Sequence, residues 1–291
     1  MRGDNILTVK ILTDSTSYID KQIENKLDIK VVSLNVIFGE ESFKERDLDN
    51  ENFYKMMDEK GIPTSSQPSV QELYNEMEKL VKAGNSVLCI FISSLMSGTY
   101  STAHMVKGMI LEVYKDAEIE ILDSTSNCMQ LGFSVIVAAK AALEDKKLDE
   151  VKEIAQHNIK RSRFLFVPDS LRYLKKGGRI GSASALIGSV LKIIPILTVE
   201  NGVTTILTKV RTKKKAVTTM TEKMFDDIEE YGLGEITVHH IDAYDEAIEL
   251  KNLLEKRFKT KIGICSIGPV VGTHVGPGTI AIAYYTEKNM R

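Results

Sequence analysis

The sequence predicts an α/β protein of two domains, and three observations carry that prediction. Short apolar strands alternate with helical stretches through the first half, the strands ending near residues 13, 92 and 122 close on bursts of hydroxyl residues, and the second half mixes a hairpin with crossover segments. The chain has 291 residues, 43% hydrophobic and 27% charged. It is long enough for two cores and has no Pro- or Gly-rich tract of linker length. The boundary is expected near residues 160–170. That gives an N-terminal α/β domain over 1–165, with a mostly parallel sheet and flanking helices, and a C-terminal α/β domain over 166–291.

Val9 to Thr13 is a short strand closing on Asp14-Ser15-Thr16-Ser17, and Ile29 to Phe38, rich in β-branched residues, reads as a second strand that Gly39 ends. Residues 47–60 read as a helix capped by Asp47 or Asp49, with Phe53, Met56 and Met57 on its apolar side and Gly61 as its stop. Pro63 to Ser69 forms a loop that opens helix 70–82. Ser86 to Ile92 is almost continuously apolar, as a strand covered on both faces would be, and runs through Ser93 to Tyr100 into helix 101–115. The unit repeats as strand 117–122, the polar turn Asp123 to Ser126 and the apolar helix 129–143. Helix 149–160, strand 163–168 and the polar segment 169–184 follow. Apolar runs at 191–199 and 204–210 flank Asn201-Gly202, a strong hairpin signal. Helix 212–231, strand 235–241, helix 244–257 and strands 261–267 and 279–285 complete the chain. Parallel sheets of this kind bind ligands beyond the carboxyl ends of their strands.

A net charge of -2 argues against a protein that coats nucleic acid or membrane. Residues 161–220 nevertheless hold twelve Lys or Arg and two acids, a local +10 against about -12 elsewhere. Such a field draws in an anion or docks an acidic partner. The basic run Lys209 to Lys215 has neither interleaved aromatics nor a helix-turn-helix or zinc-finger pattern, so no nucleic acid is expected. Cys89, Cys128 and Cys265 are scattered among apolar neighbours and fit a reducing compartment. The start has an apolar stretch too short for a signal peptide, and no run approaches the roughly 20 residues of a membrane span. The expectation is a cytoplasmic protein without an integral membrane segment. No HxxxH, HExxH or CxxC spacing occurs, so neither a metal nor another cofactor is expected.

Three groups could carry chemistry. Ser65 and Ser66, then Ser93, Ser94, Ser97 and Thr99, are read at helix starts, where unpaired N–H groups and the helix dipole hold an oxyanion, and Gly98 allows close backbone approach. Equally, they read as caps and turn residues. Leu171 to Ser182 holds Arg172, Arg179 and three glycines, a pliable basic loop suited to a carboxylate or phosphate, or simply a solvated turn. His274, fenced by Gly272, Gly276, Pro277 and Gly278, is read in a loop before the last strand, where an imidazole could donate to an anion or relay a proton. A hydrolase would have to assemble Ser97 or Ser94 with His274 in space, since GxSxG is absent.

The succession of Thr13-Asp14-Ser15-Thr16, the Pro63 to Ser69 loop, Ser93 to Tyr100, Leu171 to Ile180, Lys213 to Ala216 and His274 to Gly278 resembles the DegV family of bacterial fatty-acid-binding proteins over essentially the whole chain. The resemblance implies a two-domain fold enclosing a long-chain fatty acid, and a lipid-carrying subunit without independent turnover. Such a subunit presents the carboxylate to the ATP-binding subunit of a fatty acid kinase. By position, Ser65 and one of Ser93 or Ser94 would hold the carboxylate. Arg172, Arg179 and His274 would lie near phosphoryl transfer, and Ser97, Gly98, Thr99, Gly276 and Gly278 would support the loops. Arg211 would lie on the surface that meets the kinase. The family commonly has threonine where this chain has Ser65; serine keeps the hydroxyl and loses a methyl. The apolar tail needs a tunnel, for which helix 129–143 and the segment Leu186 to Leu197 are candidate walls, though both read equally well as core. The rival reading is the stand-alone Ser/His hydrolase or transferase acting on a small acyl substrate.

Overall fold

The computed structural model describes residues 8–187 and 193–290. The chain runs through β1 (Val9–Asp14), α1 (Lys21–Lys26), β2 (Lys30–Val32), β3 (Asn35–Phe38), β4 (Glu41–Lys44), α2 (Asn50–Lys60), β5 (Thr64–Ser66) and α3 (Val70–Lys82). Next come β6 (Ser86–Phe91), α4 (Thr99–Val113), β7 (Ile119–Asp123), α5 (Cys128–Leu143), α6 (Leu148–Lys160), β8 (Ser162–Val167) and α7 (Arg172–Lys176). It ends with β9 (Ile194–Glu200), β10 (Val203–Val210), α8 (Lys213–Tyr231), β11 (Leu233–Ile241), α9 (Tyr244–Phe258), β12 (Gly263–Ser266), α10 (Pro269–Val275) and β13 (Thr279–Thr286).

A four-stranded sheet in the order β2-β1-β6-β7 is parallel throughout. A six-stranded sheet, β10-β9-β8-β13-β11-β12, is antiparallel except for the β11–β12 pair. This is the α/β class that the alternation of elements predicts. Helix α3 begins at Val70, where the Ser69 hydroxyl accepts the Glu72 N–H and the Glu72 carboxylate accepts the Ser69 N–H, a complete capping box.

Two local readings change. The run Ile29 to Phe38 is two strands in two sheets. Its break lies at Leu34, whose N–H donates to Ser15 Oγ at 3.0 Å and whose carbonyl accepts the Glu45 N–H at 2.9 Å. Those bonds draw the chain off the parallel ladder, and β3 then pairs with β4 and β5 in a small antiparallel sheet. Accordingly Ser65 and Ser66 lie on β5, opposite Val36 and Asn35, rather than at the start of a helix.

Helix α5 ties the halves together. Thirteen of its residues are buried, as expected of a helix apolar on every side, and it packs against β1 and β6 on one flank and β8 and β13 on the other. Of the two readings open for it, α5 is core, and only its N-cap Asn127 borders the cavity described below. Of the other candidate wall, Leu186 to Leu197, residues 188–192 lie outside the described residues.

On the far face of the six-stranded sheet, Asp227 of α8 accepts from Arg163 Nη1 of β8 at 2.7 Å, from Lys223 Nζ at 2.8 Å, and from the Tyr284 hydroxyl of β13. Removing one partner of a buried pair leaves the other charge uncompensated. Asp227→Ala should lower the unfolding free energy by about 3–5 kcal/mol, read as a reduced urea midpoint at unchanged slope.

Candidate functional site

Where the carboxyl end of β6 meets the inner face of the six-stranded sheet, the protein encloses a cavity of about 300 Å³. Its apolar lining includes Phe164, Phe166, Leu174, Val199, Val270 and Val271. The two phenylalanines are alternate residues of β8, so they share a face, with rings stacked 5.3 Å apart. A larger groove of about 710 Å³ between α8 and α9 holds none of the expected site residues.

The polar part of the lining is built from distant segments. Ser65 Oγ lies 2.7 Å from His274 Nε2. His274 sits in the last turn of α10 rather than in a loop, because Pro269 starts this short helix and Gly276, at φ 86°, stops it. Burial, seconded by the Arg179 charge, pushes the imidazole down to about 4, so it is neutral at pH 7. Its Nδ1 is buried without a partner among the described residues, and a Cβ on Gly177 would stand 2.0 Å from that nitrogen. An orphaned N–H is costlier than an orphaned lone pair, which favours the Nε2–H tautomer. That tautomer donates to Ser65 and leaves the serine O–H free to donate to an anion.

Arg179 reaches the same cavity, with Nε donating to the Met96 carbonyl at 3.0 Å and Nη1 to the Gly177 carbonyl at 2.7 Å. Neither bond uses Nη2. Ser97 and Gly98 line the cavity at the start of α4, and Ser97 Oγ shares a 2.9 Å hydrogen bond with Thr99 Oγ1. A Cβ on Gly98 would fall 2.0 Å from Gln67 Oε1, so a larger residue there must displace the Gln67 side chain.

Ser65, Ser97, Gly98, Arg179 and His274 thus share one cavity. Ser93, Ser94, Arg172 and Arg211 are not part of its lining. Ser93 is fully buried and its hydroxyl donates to the Gly202 carbonyl at 2.7 Å, docking the β9–β10 turn onto the β6 loop. Ser94 donates its N–H to the Asp123 carboxylate at 3.2 Å. Arg172 is exposed, and its guanidinium lies 4.6 Å above the Tyr173 ring. Arg211 is exposed in the bend before α8. Gly276 gives the Tyr173 ring the space a Cβ would take, and Gly278 donates to the Ile241 carbonyl at 2.8 Å. Sequence reasoning missed Gln67, Asn127 and the two β8 phenylalanines, all of which line the cavity. Gln67 had a signal, an amide set between the serines and Pro68; a strand apolar on both faces gave none for the phenylalanines. Among the described residues no three or more His, Cys, Asp or Glu come together to hold a metal, and no helix is long and apolar enough to cross a membrane.

Between pH 4 and 6.5 the folded protein binds fewer protons at His274 than the unfolded chain does, so this residue's contribution to stability falls as pH drops through that window. His274→Gln should abolish that part of the pH dependence, narrowing its stability gap to wild type on acidification. An unchanged gap in urea titrations at pH 4.5 and 7 would contradict the buried, neutral imidazole. Gly177→Ala must displace the ring, and should shift its NMR resonances while leaving those of His104 and His157 in place.

The model of the DegV family matches residues 8–287 of this chain. A DegV domain-containing protein of Clostridium acetobutylicum is 61% identical over 98% of this chain and 100% of that protein. Among solved structures, DegV of Bacillus subtilis, described as a fatty acid binding protein, superposes with TM-score 0.87 at 32% identity, covering 96% of this chain and 99% of that one. A stearic-acid-binding protein of Eubacterium ventriosum superposes equally well, with TM-score 0.87 at 25% identity over 96% and 98% of the two chains. On its sequence over nearly its whole length, and on its fold, the chain belongs to the DegV family.

Proposed function

We propose that the chain carries a long-chain fatty acid in this cavity and presents the carboxylate to an ATP-using kinase subunit for acyl phosphate formation. The observation that carries the reading is an apolar enclosure with one polar corner, where Ser65, His274 and Arg179 converge without a carboxylate. A tail of roughly sixteen methylenes supplies about 0.8 kcal/mol each on burial, more than the head-group contacts can, so the polar corner mainly fixes orientation. The Ser65 hydroxyl donates to the carboxylate, and the Arg179 charge balances it and the developing acyl phosphate. Of Ser93 and Ser94, neither of which is in the lining of the cavity, Ser94 remains the candidate second donor, since the Ser93 hydroxyl is committed to Gly202. Arg211, exposed beside the basic start of α8, serves the kinase contact. The solved structures of the Bacillus subtilis and Eubacterium ventriosum proteins, both described as fatty acid binders, support the ligand class.

The Ser65–His274 spacing also brings a serine closer to this imidazole than the rival hydrolase pairing with Ser94 or Ser97. A nucleophilic serine, however, needs Nε2 as an acceptor, the opposite of the tautomer favoured above. Two features weigh against turnover. A base whose conjugate acid titrates at about 4 is weak at neutral pH, and among the described residues Nδ1 has no acid to orient it or to stabilise an imidazolium.

Native mass spectrometry of protein purified without added lipid, followed by denaturation and lipid identification, should find one fatty acid per chain. A chain that stays empty after incubation with fatty acids, and that hydrolyses an activated ester in a Ser65-dependent way, would hand the site to the hydrolase. Ser65→Ala should weaken retention about tenfold or more, the worth of one hydrogen bond to a charged group, with an unaltered circular dichroism spectrum. Ser94→Ala should weaken it too; full retention would place the carboxylate elsewhere. Arg211→Glu should spare lipid binding and impair acyl phosphate formation with a kinase subunit, and normal coupling would remove Arg211 from the docking surface.

A further inference from the structure

Glu45 is nearly fully buried on the turn after β4 and is not part of the cavity lining. Its Oε1 accepts the Val270 N–H at 2.9 Å and the Tyr18 hydroxyl at 2.7 Å, and its Oε2 accepts the Ser15 hydroxyl. Tyr18 Oη accepts the next amide, Val271 N–H, at 3.2 Å. These two amides belong to the first turn of α10, whose own N-cap, Gly268, has no side chain to offer. The fit is close: a Cβ on Gly268 would lie 2.7 Å from Tyr18 Cε1 and 2.8 Å from Glu45 Oε1. The neighbouring cation is turned away, since Arg46 forks onto Glu24 at 2.8 and 2.7 Å. Dipoles from Ser15, Tyr18 and the helix therefore hold the carboxylate.

The same short helix ends in His274 and contributes Val270, Val271 and Val275 to the cavity wall. A helix of seven residues has little stability of its own, and its axial position is set by what grips its ends. We propose that Glu45, with Tyr18, is a positioning residue that fixes the register of α10 and thereby the placement of His274 against Ser65. It does not line the cavity. The proposal rests on the cavity being the fatty-acid site for its functional consequence, though not for its structural one. The Asp14-Ser15 pair after β1 then serves both sides of the cavity. Asp14 Oδ2 accepts the Ile92 N–H at 2.8 Å, just ahead of the serine loop, while Ser15 holds Glu45.

The test reads His274 directly, by the NMR titration of its ring resonances in histidine-labelled protein. The groups that face this ring are Arg179 and the Ser65 hydroxyl. In Glu45→Ala and in Tyr18→Phe, α10 loses one or both caps, and the His274 midpoint should rise toward the ordinary histidine value as the ring becomes exposed. Affinity of the delipidated protein for stearic acid should fall about tenfold, the worth of one well-placed hydrogen bond. Val81→Ala, in the separate core under α3, supplies a loss of thermal stability that should leave the His274 midpoint unmoved. A folded Glu45→Ala with an unchanged midpoint, or an equal shift in Val81→Ala, overturns the proposal. Should Glu45→Ala fail to fold, Tyr18→Phe decides by the same readout. Wild-type protein that ignores stearic acid would refute the fatty-acid reading, while the midpoint would still decide the role of Glu45.

Discussion

A carboxylate taken fully out of water must be satisfied by hydrogen bonds or it will not stay charged. Asp14 is such a group: it is completely buried at the end of β1, and burial pushes its acidity toward the protonated form against the bonds it accepts. Those bonds come from the Thr16 N–H at 2.9 Å, the Thr16 hydroxyl and the Ile92 N–H. They fix where the chain leaves β6, and so where the Ser93 to Gly98 loop begins. One residue on, the Ser15 hydroxyl receives the Leu34 amide and donates to Glu45. Segments near residues 34, 45, 92 and 270 are thereby referred to a single point at the end of one strand. A site assembled from β5, the β6 loop, α7 and α10 needs such a common origin, because none of these pieces is long enough to define its own position.

That arrangement explains which parts of the molecule were legible in the sequence. Helix α3 could be read to the residue, because Leu73, Met77, Leu80 and Val81 recur at helical spacing behind a Ser69–Glu72 box. The β9–β10 hairpin was equally plain: Asn201 and Gly202 both adopt positive φ, at 50° and 81°, as the tight turn demands. Both signals are local. The break at Leu34 was invisible because its cause is a hydroxyl nineteen residues upstream. Three-residue β5 has no period to detect, so Ser65 took the role of a helix start that Ser69 in fact fills. The chemistry-bearing residues of the cavity were visible by type, since hydroxyls, an arginine and a glycine-fenced histidine stand out against apolar strands. Its walls were not, because β8 is covered on both faces and an unbroken apolar run does not say which side faces a ligand.

The electrostatics of the two ends of α10 bear on how steady the site is as conditions change. Burial pushes Glu45 up to about 7 from 4.5 and pushes His274 down to about 4 from 6.5. For Glu45 the folded state binds more protons than the unfolded state between pH 4.5 and 7, so its contribution to stability falls as pH rises through that window. For His274 the folded state binds fewer protons between pH 4 and 6.5, so its contribution rises with pH there. Where the windows overlap, the two slopes oppose each other. The two groups at the ends of α10 thus contribute pH dependences of opposite sign across mildly acidic pH. The imidazole stays neutral over most of that range, so Arg179 is the positive charge the polar corner keeps. Among the described lining residues, a corner with this one cation and neutral donors is suited to an anionic head group.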